Sequence, residues 1–223
     1  MIKFADPRAQ YDEFKEEIDK AISDVLNSDS YILGEQVSFL EKEFSQYIGT
    51  KYSIGVANGT DALELSLRAM GIGEGDEVIT VSHTAVATVA AIEAAGASPV
   101  LADIDPETYT LDISNLSELV TENTRAIVAV HLYGGACNLD EISKFCKENR
   151  LKLIEDVSQA HGAKWKEKRL GSLGDIGCFS CFPTKNLGAI GDAGLITTNN
   201  DEYAEKIIML RQYGWKKRLS QIP

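Results

Sequence analysis

The chain has 223 residues, 44% of them hydrophobic, which is long enough for one large α/β domain with a full core. Its formal net charge of −12 excludes nucleic acid and anionic membrane as partners, because both need a basic field. The N-terminus has no signal-like apolar region and no run approaches the ~18 apolar residues that span a bilayer, so a cytoplasmic protein is expected.

In chain order, Tyr11, Phe14, Ile18, Ile22 and Val25 step by three and four and predict an amphipathic helix. A polar break, NSDSYILG at 27–34, carries Tyr31 in a loop within reach of a site and precedes a second helix with Val37, Leu40, Phe44 and Tyr47. Both helices come before the first strand pattern and are expected to form an arm, residues 1–50, outside the main sheet. From residue 51 strands alternate with helices: strands at 52–56, 77–81, 99–104, 126–131, 151–154, 176–182 and 195–198, helices at 60–70, 84–95, 113–120 and 139–148. This alternation predicts a mostly parallel, seven-stranded sheet flanked by helices over residues 51–213. The last two strands share a short glycine-rich link, so one of them is expected to run antiparallel. A final helix at 202–213 gives way to GWKKRLSQIP at 214–223, a basic, uncapped stretch that reads as the start of a connection.

The chemistry gathers between residues 151 and 185. A buried strand ends in Glu155 and Asp156, and a second apolar run ends at Pro183, Thr184 and Lys185. In an open α/β sheet the crevice beyond the carboxyl ends of the strands is the ligand site, so acid and lysine are expected there together. An isolated pair of this kind reads as a turn cap and a solvated lysine. Pyridoxal phosphate needs both, a lysine for its aldehyde and a carboxylate beside its ring nitrogen. Gln159 lies one turn beyond Asp156 on the same side and can bond a ring hydroxyl, while Gly188, Gly191 and Gly194 leave room beside Lys185.

A phosphate site is expected where the strand at 52–56 runs through Asn58, Gly59 and Thr60 into a helix, whose free amides attract an anion. An N-cap by Asn58 or Thr60 explains these residues equally well. Ser180 is a further hydroxyl for the phosphate. The absence of G-x-G-x-x-G and G-K-[ST] argues against NAD and ATP. His83, after the second strand, is placed either flat on an aromatic cofactor or as a helix cap; His131 is expected to be a core histidine satisfied by the following turn. Cys178 and Cys181 spell C-x-x-C inside an apolar strand and read as buried thiols, with no metal site expected.

NGTDAL (58–63), VHLYG (130–134), EDVSQAHGA (155–163), GDIGCFSCFPTKNLGAIGDAG (174–194) and LRQYGW (210–215) resemble the DegT/DnrJ/EryC1/StrS aminotransferases, fold-type-I pyridoxal-phosphate enzymes acting mainly on nucleotide-linked keto-sugars. The resemblance covers essentially the whole chain from Tyr31 on. It implies that Lys185 forms the Schiff base, Asp156 partners the pyridine nitrogen, Gln159 contacts the ring, and Gly59, Thr60 and Ser180 hold the phosphate. It further implies an amino donor, glutamate, a keto-sugar acceptor, and a homodimer with shared active sites. The dehydratase branch has histidine in place of the lysine, so Lys185 favours transamination. The family departs from this chain in two places. Most members carry a stacking aromatic residue in the stretch 82–85, where His83 is here the only flat ring; the Ser82-His83-Thr84 form is similar to that of members aminating C3 rather than C4. Members also continue into a small C-terminal domain absent from this chain, with 214–223 as the start of the connection. The runner-up readings are an enzyme making an amino-cyclitol or aromatic amine, and a cofactor-binding or regulatory relative without turnover.

Overall fold

The structure, a computed structural model, describes residues 5–217 and 220–221. Two short helices, α1 (Pro7–Glu13) and α2 (Lys15–Leu26), open the chain and bury no side chain. They are the first expected helix, divided at Phe14, whose φ of −110° and ψ of 24° leave the helical region. Helix α3 (Glu35–Ile48) behaves differently. Phe44 and Ile48, four apart on one face, are buried, and the Phe44 ring meets Phe179 edge-on with centroids 4.9 Å apart. Glu41, on the same helix, accepts a bond from the Gly55 amide in β1 (Tyr52–Val56). The apolar stripe of α3 thus belongs to the main core and not to an arm outside the sheet.

The chain continues through α4 (Gly59–Ala69), β2 (Glu77–Val81), α5 (Val86–Ala95), β3 (Ser98–Ala102), α6 (Leu116–Leu119), β4 (Thr124–Val130), α7 (Leu139–Asn149), β5 (Lys152–Asp156), β6 (Lys164–Trp165), β7 (Lys168–Arg169), β8 (Ile176–Ser180), β9 (Gly194–Thr198), α8 (Asp201–Leu210), β10 (Trp215–Lys217) and β11 (Ser220–Gln221). Seven strands form one sheet in the order β1-β9-β8-β5-β4-β2-β3. Pairing is parallel from β8 to β3 and antiparallel on both sides of β9, so the expected mostly parallel sheet is found and β9 is the reversed strand. The central strands read as continuous apolar runs because helices cover both faces: Ile127, Val128 and Ala129 are all fully buried.

Local chemistry explains the differences from the sequence pattern. The helix expected at 113–120 shrinks to the single turn α6, because the Asp112 carboxylate accepts from both the amide and the hydroxyl of Ser114 and offers the backbone a turn instead. The β6–β7 hairpin has no readable turn signal: its two-residue turn is Lys166-Glu167, with Lys166 at φ 53°, where Asn-Gly is the usual choice. Helix α5 begins at Val86 because the Thr84 hydroxyl bonds Thr88 rather than capping an amide.

Strand alternation separates the two acids at the end of β5. Glu155 turns away from the ligand edge and is fully buried. Its carboxylate accepts from the amides of Gly171, Leu173 and Gly174 at 2.9, 2.8 and 2.7 Å and from His131 Nε2 at 3.2 Å. His131 Nδ1 in turn accepts from the Cys137 amide at 3.0 Å, which leaves no site for a second proton and fixes the neutral Nε2–H tautomer. His131 is thus the core histidine the sequence suggests. Burial works against the charge on Glu155, but the His131 bond and the loop amides outweigh it and hold the carboxyl below its ordinary 4.5.

Glu155→Ala leaves three loop amides and His131 without their acceptor and is expected to cost about 3–5 kcal/mol. Because the folded-state pKa is depressed, the stabilisation from Glu155 is complete above about pH 4.5 and is lost as pH falls through the lowered value. Urea unfolding of the wild type and Glu155→Gln should therefore show a gap that narrows in acid; a gap independent of pH would contradict this role.

Candidate active site

Strands β2, β4, β5 and β8 run parallel and end at one edge of the sheet. A cavity of about 540 Å³ lies beyond that edge, with Gly59, Thr60, Asp156, Gln159, Ser180 and Lys185 in its wall. Six of the seven residues expected from sequence thus meet in one place. The seventh, His83, is exposed and outside the wall; its Nε2 lies 3.3 Å from the Tyr133 hydroxyl, and Thr84, Ala85 and Val86 face the cavity instead. Tyr31 is also exposed and outside it, its hydroxyl donating to Leu26 O.

At the start of α4 Asn58 is the N-cap and the first helical amides stay open. Asn58 Oδ1 accepts from the Asp61 amide at 2.8 Å, which leaves the amides of Gly59 and Thr60, at the first two helical positions, without an intrahelical acceptor. The first turn of α4 lies directly on the end of β8. A Cβ on Gly59 would stand 2.5 Å from Ser180 Cβ, and one on Gly194 would stand 2.3 Å from Asn58 O. Gly194 faces both Val56 and Ser180 in register, so side chains at either glycine would push the helix off the sheet.

Asp156 is 5% exposed. Its Oδ1 accepts from the Ser158 amide at 3.1 Å and its Oδ2 from the Thr88 hydroxyl at 3.0 Å, and among the described residues it has no ion-pair partner. Thr88 escaped the sequence reading because it sits in the Ala- and Val-rich run of α5, 68 positions from Asp156. Gln159 Oε1 accepts from the Tyr133 amide at 3.1 Å, holding Tyr133 at φ 55° and leaving the Gln159 amide protons available. Lys185 closes a tight turn, its amide donating to Phe182 O at 2.8 Å, and bonds from Cys181 N to Ala193 O and Ala189 N to Cys181 O pin the loop. Lys185 makes no ion pair with another described residue. His161, beside the Phe179 ring, is pushed down to about 4 by burial and then by the charge of Lys185, so it is neutral at physiological pH. Cys178 and Cys181 are buried and unpaired, and burial pushes both thiols up. Among the described residues no helix is long and apolar enough to cross a membrane.

Residues 12–222 match the DegT/DnrJ/EryC1/StrS aminotransferase family. The chain is 49% identical over its whole length to a dTDP-3-amino-3,6-dideoxy-alpha-D-galactopyranose transaminase of Aneurinibacillus thermoaerophilus, covering 61% of that protein. It is 44% identical over 97% of its length to a pleiotropic regulatory protein of Geobacillus stearothermophilus, covering 58% of it. The solved structure of S. venezuelae DesV in complex with a ketimine intermediate superposes with a TM-score of 0.97 at 41% identity, covering all of this chain and 60% of that one. The chain therefore spans about 60% of the length of the relatives it matches. On this match, over a fold whose strand ends gather a lysine, a buried carboxylate and an open helix N-terminus, the chain belongs to the DegT/DnrJ/EryC1/StrS aminotransferases, a family of pyridoxal-phosphate enzymes.

Proposed function

We propose that this protein moves an amino group from an amino-acid donor, glutamate, to a nucleotide-linked keto-sugar, and that residues 51–213 carry the cofactor-binding domain. The observation that carries the reading is the single cavity shared by Lys185, Asp156 and the first turn of α4. Its donor set fits pyridoxal phosphate. An unpaired lysine, a buried carboxylate with no cation and two free amides beside a serine hydroxyl are the three kinds of group that the aldehyde, the ring nitrogen and the phosphate require. The cofactor, when bound, supplies an aldehyde carbon for the amino group and a ring that accepts electrons.

Lys185 would hold the aldehyde carbon through Nζ, and as a free amine that same Nζ is the general base and acid of the cavity. Asp156 would keep the ring nitrogen protonated by facing it with a buried negative charge. Gly59, Thr60 and Ser180 would hold the phosphate, and the Gln159 amide would bond the ring hydroxyl. The A. thermoaerophilus relative is named for a 3-amino sugar, which together with the Ser82-His83-Thr84 sequence supports an acceptor carbonyl at C3. A second copy of the chain would cover the cavity mouth, where the lining residues Val86 and Phe182 are exposed. A purely regulatory role, as the G. stearothermophilus name suggests, leaves the lysine and the buried acid without a use.

Borohydride reduction of the cofactor-loaded protein should attach the cofactor to the peptide carrying Lys185, and Lys185→Ala should abolish the label. Persistence of the label in that variant would move the site elsewhere. Asp156→Asn should retain bound cofactor while amination of a nucleotide keto-sugar by glutamate falls on the order of 10² or more. Gly59→Ala should weaken pyridoxal phosphate about tenfold or more, some 1.4 kcal/mol, with little effect on unphosphorylated pyridoxal. An equal loss for both compounds would place the phosphate elsewhere.

A further inference from the structure

We infer that Thr84 and Thr88 form a two-hydroxyl relay that positions Asp156 toward the ring nitrogen of the cofactor, with Thr88 as the positioning residue. The inference rests on the assignment of this cavity to pyridoxal phosphate and assigns a task to α5 that the motifs leave unread. The Thr88 hydroxyl lies 3.0 Å from Asp156 Oδ2 and 2.9 Å from Thr84 Oγ1. A carboxylate oxygen only accepts, so the single proton of Thr88 is committed to Asp156 and its lone pair takes the proton of Thr84. The relay therefore has one direction, from Thr84 in the cavity wall through Thr88 to Asp156.

The geometry admits little else. Thr88 is 1% exposed, so its hydroxyl has no water to turn to, and β-branching restricts its side chain to few rotamers. The Ser158 amide holds Oδ1 from the other side, so the carboxylate plane is set by two donors from two different elements. Each oxygen keeps a free lone-pair direction for a proton on the ring. The other charged or titratable groups near Asp156 are Lys185 and Asp192 in the cavity wall, His161 after β5 and Cys178 on β8, with Glu155 turned to the opposite face. None of them donates a bond to the Asp156 carboxylate, so Thr88 supplies the only side-chain bond that orients it among the described residues.

The test compares pyridoxal phosphate with its analogue carrying carbon in place of the ring nitrogen, using wild type, Thr88→Val and Thr88→Ser. Thr88→Val keeps the volume and removes the donor; Thr88→Ser keeps the donor and removes the methyl. The expected result is that Thr88→Val weakens pyridoxal phosphate about tenfold and leaves the analogue unchanged, while Thr88→Ser stays close to wild type for both. Thermal unfolding of the unloaded variants checks that the comparison is between folded proteins. Equal binding of pyridoxal phosphate by wild type and Thr88→Val overturns the relay and leaves the cavity assignment standing. A loss in Thr88→Val that is the same for both compounds, or that Thr88→Ser shares, overturns it in favour of packing. Failure of the wild type to bind either compound overturns the cavity assignment and the relay with it.

Discussion

Two carboxylates, adjacent in sequence at the end of β5, are both buried, and the way each is compensated organises the molecule around them. Strand geometry sends them to opposite faces, so they never share a partner. Glu155 is surrounded by four donors, three of them amides of one loop. Its charge is fully engaged, and the result is a fixed loop 171–174 tied both to β5 and, through His131, to the end of β4. Asp156 receives only one amide and one hydroxyl, neither of which is cationic. A buried charge held that lightly is costly in an empty pocket and favourable beside a protonated ring. The number of donors separates the two acids, four on Glu155 against two on Asp156.

Under the proposed reading, the same edge of the sheet is where an acidic protein would hold an anion. A net charge of −12 sets a repulsive field at long range, yet the Gly59 and Thr60 amides act at contact distance, where helix-end dipoles are strongest. Close approach is what makes this arrangement work. Gly59 lets the first turn of α4 rest on Ser180, and Gly194, on the reversed strand β9, lets the Asn58 carbonyl pass over it. Reversing β9 places a short, side-chain-free strand start between the ends of β1 and β8. His161 is neutral at this edge, and Lys185 makes no ion pair with another described residue.

Much of this was legible along the chain because its signals are local. Apolar runs bounded by glycines and polar residues located all seven strands of the sheet, steps of three and four located α3, and the stretches between and after the strands placed α4, α5, α7 and α8. Asp156, Gln159, Ser180, Lys185, Gly59 and Thr60 were readable because each lies at or within a few residues of a strand end, where the open-sheet rule puts ligands whatever the tertiary detail. His131 was readable because a glycine-rich turn follows it. The failures share a different origin. The sequence pattern of α3 cannot say which face of the protein its stripe will meet, and the Lys166-Glu167 turn carries no residue that announces a left-handed conformation.

What the sequence determined by itself was the order and type of the main-sheet strands and of the longer helices between them, and the residues delivered to the ligand edge, since apolar runs and turn chemistry act over a few residues. Tertiary structure alone decided which of those residues face one another. It turned His83 toward Tyr133 and out of the cavity, set Glu155 against a loop and Asp156 against Thr88, and brought Gly59 onto Ser180. Each of these outcomes depends on a distance between positions far apart in the chain. Such distances are set by how helices pack on a twisted sheet, and no single stretch of sequence encodes them.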